Sequence, residues 1–239
     1  MYQPFPIPFK WLAFVLCLFK LSCAKSSALE VVSVDDFEID GKGTHPAWLD
    51  TEWVQLTKRT KSGHSLPTKA KLLYSAKGLY FLFHCGDEKI ISTFKEDFAE
   101  LYREDVVEVF IQPDPKGNDP AVYLEYEISP RNQELVILVP NYNGKFHGWR
   151  PWRYREERET RHQTHIHKEE GNVTAWTAEF FIPFALMKPL PHVPPKPGNV
   201  WKMNLYRIDH DSGERAYWSW KPFEKSFHEY LRFGDVQFK

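Results

Sequence analysis

Cysteine is scarce in this chain, three in 239 residues, and two of the three, Cys17 and Cys23, fall in the N-terminal leader. Cleavage after Ala24 would leave Cys85 alone. That excludes an internal disulfide and leaves stability to the core and to any bound metal. An excess of charge of either sign is also missing, the formal net charge being -1. A nucleic-acid partner usually demands a basic face, so none is expected. Serine and cysteine nucleophile signatures are absent, as is a Cys-x-x-Cys-His haem attachment. Neither an internal repeat nor a linker sets off a second domain.

The longest apolar run near the N-terminus, Trp11 to Phe19, is too short to span a bilayer. Lys10 precedes it and Ser22-Cys23-Ala24 ends it with small residues, the pattern of a cleaved export signal over residues 1–24. Leu21-Ser22-Cys23 partly fits a bacterial lipobox, with Lys20 where an aliphatic residue belongs, so Cys23 is an alternative point of lipid attachment. The expected protein is exported: periplasmic, secreted or held on the outer membrane. Residues 25–239 then form one domain, since a chain of this length builds one good core and is short for two.

Short alternating segments fill that domain. In Val106 to Gln112, Val107, Val109 and Ile111 face one way and Glu108 and Phe110 the other, the period of a strand with one face on a core. Tyr102, Arg103, Glu104 and Asp105 crowd the entrance of that strand, which reads as the rim of a binding site. Val122, Leu124, Tyr126 and Ile128 alternate with Tyr123, Glu125 and Glu127, so the two glutamates share a polar face. Thr68–Ser75 and Leu79–Cys85 read as a hairpin turned at Lys77-Gly78, with Cys85 a buried small hydrophobe. Further strands are expected at 29–34, 135–139, 173–182, 201–208, 215–218 and 233–238, and a solvated strand-and-loop region at 149–167. Many short strands with turn clusters between them predict an all-β antiparallel sandwich of two sheets, jelly-roll or immunoglobulin-like, with a few helical turns.

An ordered set of segments resembles the family 9 carbohydrate-binding modules and their DOMON-like relatives. They are Asp40-Gly41 with Ala47-Trp48, Leu72-Leu73-Tyr74 with Leu79-Tyr80-Phe81, Glu104 to Phe110, Trp176 to Glu179 with Ile182-Pro183-Phe184, Trp201 with Asn204 and Arg207, and Phe233-Gly234. The resemblance implies a module that grips a sugar between two rings, which map to Tyr102 and Phe227, with Glu108 as the acidic hydrogen-bonder. Sugar-binding members carry tryptophan at both ring positions, a basic residue near Glu127 and an amide near Glu224, so this chain departs from them in its specificity.

Sugar binding needs a flat apolar surface and planar polar groups at its edge. Tyr102 and Phe227 could supply the surface, and Glu108, Glu125, Glu127, Asn204 and Arg207 the edge. The ligand would be a mono- or oligosaccharide, and polysaccharide-degrading enzymes the protein partners. Two other functions are open. Glu108 with Glu125 or Glu127 could serve as the acid and base of a glycosidase, which needs carboxyls about 5 to 9.5 Å apart. A haem-binding DOMON-type domain would use an axial ligand such as Met203. For metals, His162, His165 and His167 form a candidate transition-metal cluster without an acidic or cysteine partner. Structural calcium, which family relatives often carry, needs only loop oxygens.

Overall fold

The computed structural model describes residues 28–61, 63–114, 121–154 and 160–239. The expected export signal and Cys23 lie outside the described residues, as does most of the turn expected at 114–120. The described strands are β1 (Leu29–Ser33), β2 (Val54–Lys58), β3 (Thr68–Tyr74), β4 (Gly78–Gly86), β5 (Val106–Gln112), β6 (Ala121–Ile128), β7 (Glu134–Tyr142), β8 (Lys145–Phe146), β9 (Arg150–Pro151), β10 (Arg161–Glu169), β11 (Asn172–Pro183), β12 (Val200–Asp209), β13 (Ala216–Ser219) and β14 (Gly234–Phe238). Among the described residues, helical structure is confined to short 3-10 turns, of which Leu101–Arg103 and Tyr230–Arg232 border the site.

One sheet runs β14-β12-β5-β6-β7 and the other β3-β4-β11-β10; β1 and β2 each pair with strands of both. The expected sandwich is observed, mostly antiparallel. The exception is β1, which lies parallel to β14 and to β3. It enters from the N-terminus and is joined to neither by a hairpin, so no tight turn dictates its direction.

The alternation read from the sequence fixes which residues meet between the sheets. Val107, Val109 and Ile111 of β5, Leu124, Tyr126 and Ile128 of β6, and Met203 and Leu205 of β12 share a core with Phe81, Phe83, Ala178 and Phe180 of β4 and β11. Tyr126 stacks on Phe180 at 5.4 Å, tying one layer to the other. Cys85 is fully buried there, and burial pushes its thiol up to about 12, so it packs as an apolar group.

The far side of the β4-β11 sheet is covered by residues 34–53, and Glu179 is the staple. Its carboxylate accepts from the backbone N–H of Asp40 (3.0 Å), Gly41 (2.9 Å) and Gly43 (3.2 Å), and from Trp48 Nε1 (2.7 Å). Gly43 turns with φ at +70°, where a Cβ would run into Leu82, so the loop needs glycine there. The Asp40-Gly41, Trp48 and Glu179 segments noticed separately in the sequence are thus parts of one hydrogen-bonded unit.

Candidate functional site

The opposite face of the other sheet carries the second set of alternating residues. Glu108 and Phe110 of β5 lie beside Tyr206 and Asn204 of β12 on one flank and Glu127 and Glu125 of β6 on the other. Tyr123 and Ile137 extend this floor toward β7. A cavity of about 270 Å³ opens above it, with Tyr102, Glu108, Glu125, Trp149, Phe227 and His228 among its lining residues.

Two covering segments complete the cavity. The 3-10 turn at Leu101–Arg103 anchors itself through buried Leu101 and leaves Tyr102 half-exposed at the rim, 6.1 Å from the Trp149 ring. The segment from Trp220 to Tyr230 is held by three devices. Asn204 Oδ1 accepts from the Lys221 N–H (2.9 Å) and its Nδ2 donates to the Lys221 carbonyl (3.1 Å) and to Tyr206 Oη (2.8 Å). Tyr206 in turn donates to the Phe227 carbonyl (2.9 Å). Glu229 accepts from the N–H groups of Glu224, Lys225 and Ser226, and Arg232 pairs with both Glu224 and Glu229. Phe227 is thereby pressed onto Tyr206 with ring centroids 4.1 Å apart and meets Phe223 edge-on at 4.9 Å.

The floor is unusually acidic for its depth. Glu108, Glu125 and Glu127 are 2%, 4% and 0% exposed. Burial pushes all three carboxyls up, Glu125 to about 8, and the neighbouring carboxylate adds to the rise at Glu108. His228 is the nearest ionisable base, with Nδ1 3.8 Å from Glu125 and 2.6 Å from Tyr123 Oη. Burial lowers it to about 4, so it sits there uncharged near neutrality.

The sequence-derived residues divide accordingly. Tyr102, Glu108, Glu125 and Phe227 come together around the cavity, Glu127 lies directly across the strand pair from Glu108, and Asn204 acts from behind as an anchor for the covering segment. Arg207 is a correction. It points into the opposite face of β12, fully buried, donating to Thr68 Oγ1 (3.1 Å) and the Gly86 carbonyl (2.6 Å) and pairing with Asp87 (3.0 Å) and Asp209. It stands three positions on from Asn204, an odd spacing that puts the two on opposite faces of a strand. Glu104 and Asp105 are also corrected: they accept from the Thr93 and Ile91 N–H groups and fasten the preceding loop, so of that strand entrance Tyr102 alone reaches the cavity.

Trp149, Tyr217, Phe223 and His228 line the cavity without having been singled out. The solvated reading of 149–167 is revised in the same stroke, because Trp152 packs against the main core and donates from Nε1 to the Leu186 carbonyl (2.8 Å). The histidine cluster divides by parity. His165 and His167 face one way, rings 4.7 Å apart, whereas His162 bonds Asn132 on the other side of β10.

Among the described residues, Asp87, Asp209 and Asp211 are the trio of potential ligands whose oxygens all lie within 4.8 Å of one another, and they could hold a metal ion. Asp211 Oδ1 is buried without a hydrogen-bond partner, and an all-oxygen donor set suits a hard cation. Arg207 already occupies one oxygen each of Asp87 and Asp209.

A two-sheet β-sandwich with an aromatic-walled cavity over one sheet is an architecture that carbohydrate-binding modules use. The sequence profile of the carbohydrate family 9 binding domain-like family matches residues 39–239, and the chain belongs to that family. The structure is similar to that of a Bacteroides uniformis protein proposed to bind carbohydrate, at TM-score 0.70 and 17% identity over 89% of this chain and 99% of that one. It is similar also to a family 9 carbohydrate-binding module of Caldicellulosiruptor kristjanssonii solved with cellotriose, at TM-score 0.58 and 18% identity over 89% and 94% of the two chains. The same organism's module with glucose gives TM-score 0.57 and 16% identity over 88% and 95%. An "Extracellular protein" of Arthroderma benhamiae is 26% identical over 147 residues, 59% of this chain. The matched region spans 62% of that relative's length.

Proposed function

We propose that the cavity beneath Tyr102, Trp149 and Phe227 is a sugar-binding site, and that the protein is an exported module supporting polysaccharide use. The observation that carries the reading is the meeting, in one cavity, of rings from three separate segments above two buried carboxyls. A pyranose ring presents C–H groups on its face and hydroxyls around its edge, which such a site matches. At about 270 Å³ the cavity is just below the roughly 300–1,000 Å³ range of ligand pockets, so it suits one or two rings better than the interior of a long chain. The reading of residues 1–24 as an export signal and the extracellular relative support an exported location. The cellotriose and glucose complexes of the structural neighbours support gluco-oligosaccharides as the first ligands to try.

Phe227 is so embedded in its aromatic stack that its removal would loosen the covering segment as well as the site. Tyr102 and Trp149 are the cleaner probes. Tyr102→Ala and Trp149→Ala should each weaken oligosaccharide binding by about tenfold, the equivalent of ~1.4 kcal/mol, while the melting temperature stays within a degree or two. Calorimetry with gluco-, xylo- and manno-oligosaccharides measures this. Failure of the wild-type protein to bind any of them would overturn the reading.

The aspartate trio suits calcium, for which Asp87, Asp209 and Asp211 would supply the carboxylate oxygens and Arg207 would balance the remaining charge. Calcium at ~100 times its dissociation constant would add about 2.7 kcal/mol to stability, so chelation should lower the melting temperature by roughly 5 to 10 °C. An unfolding curve indifferent to chelator and to added calcium contradicts this assignment.

A further inference from the structure

The floor of the cavity carries more acid than a neutral sugar can use. Glu108 Oε1 and Glu125 Oε2 are buried without a hydrogen-bond partner. Glu108 and Glu125 face the cavity directly, and Glu127 stands opposite Glu108 on the adjacent strand. Among the described residues no lysine or arginine pairs with any of the three; the cavity's own cations, Arg215 and Lys225, lie at its exposed rim. His228 approaches Glu125 only as an uncharged ring. Carboxylates buried without a counter-charge cost several kcal/mol each, so the empty floor stays largely protonated.

A bare metal ion is a poor match for this floor. Of the three glutamates, Glu108 and Glu125 line the cavity, too few oxygens for a hard cation, which takes about six to eight of them at about 2.3–2.6 Å. An ammonium group is larger, carries three N–H donors, and forms charge-assisted hydrogen bonds of about 2.7–2.9 Å to carboxylates. Attached to a pyranose, it would arrive with a ring face for the aromatic wall.

We propose that the pocket selects an amino sugar, a glucosamine-type unit whose ammonium sits on Glu108 and Glu125 while its ring rests against Tyr102, Trp149 and Phe227. This deepens the sugar-binding reading and rests on it. The ammonium takes the place of one proton of the floor, one carboxyl ionising to pair with it while its neighbour stays protonated and accepts a hydrogen bond, and the N-acetylated unit, having no charge to offer, is excluded.

The test is calorimetry on the full chain in mildly acidic buffer with four probes: the glucosamine trimer with free amines, its N-acetylated counterpart, cellotriose, and spermidine. The expected result is binding of the free-amine trimer at least about tenfold tighter than of either neutral trimer and of spermidine. Glu108→Gln and Glu125→Gln, which keep the side-chain shape and remove a buried charge, should abolish that preference and melt no lower than the wild type. Equal or better binding of cellotriose overturns the proposal and leaves the sugar site standing. A spermidine affinity matching the trimer, or a preference that survives both variants, also overturns it by pointing to charge alone or to another surface. Failure of all the sugars to bind ends both readings.

Discussion

Arg207→Met should unfold at a markedly lower temperature than the wild type, by roughly 6 to 20 °C, from a loss of about 3–5 kcal/mol. The guanidinium is fully buried and has the Trp218 ring 4.9 Å from its carbon. Burial opposes its charge, but the surrounding anions outweigh that and raise its pKa further. Removing it leaves Asp87 and Asp209 buried without their partner and strands the Gly86 carbonyl and Thr68 hydroxyl. Breaking one half of such a pair costs far more than the pair contributes in net stability. The triple variant Arg207→Met, Asp87→Asn, Asp209→Asn should therefore recover part of the loss. Thermal unfolding of the three proteins measures both effects; a single variant that melts with the wild type would show that Arg207 is not the counter-charge of this cluster. Sugar affinity should be nearly unaffected, because Arg207 is on the face of β12 turned away from the cavity.

Glu179→Ala has the second largest expected effect, about 3–4 kcal/mol and on the order of 10 °C. The substitution deprives four N–H donors of their acceptor at once, three from the loop at 40–43 and one from Trp48. Trp48 is 1% exposed and closes a small core of its own with Phe37, Tyr80 and Phe181. The loop should become open to exchange and proteolysis before the sandwich melts. Glu179→Gln keeps an acceptor oxygen and should lose less, which separates the hydrogen bonds from the volume. Protection of the Gly41 and Gly43 amides in hydrogen exchange reads the effect locally, and unchanged protection in the alanine variant would contradict it.

The sandwich was legible because its strands alternate cleanly. Val107, Val109 and Ile111 go to the core and Glu108 and Phe110 to the cavity, as a period of two requires. The same parity could have separated Arg207 from Asn204, whose odd spacing along one strand puts them on opposite faces, and it does pair His165 with His167. Counting residues on a face would have found the first correction; the partners of Arg207 would have stayed hidden, because Asp87 is 120 residues away in the chain. Glu104 and Asp105 look like ligand groups in sequence and are loop fasteners in space, a distinction set entirely by the Ile91 and Thr93 amides that return to meet them. Trp149 carried no local signal at all. It lies in a stretch without periodicity that folds back over the sheet through β8 and β9, and its place beside Tyr102 comes from tertiary packing alone.

The decisive measurement is a crystal soaked with the tightest-binding oligosaccharide. Density for a sugar ring against Tyr102, Trp149 and Phe227, with a hydroxyl or ammonium on Glu108, is the predicted result. A ring seated elsewhere, over the His165 and His167 face for example, with this cavity left to solvent, would contradict the account.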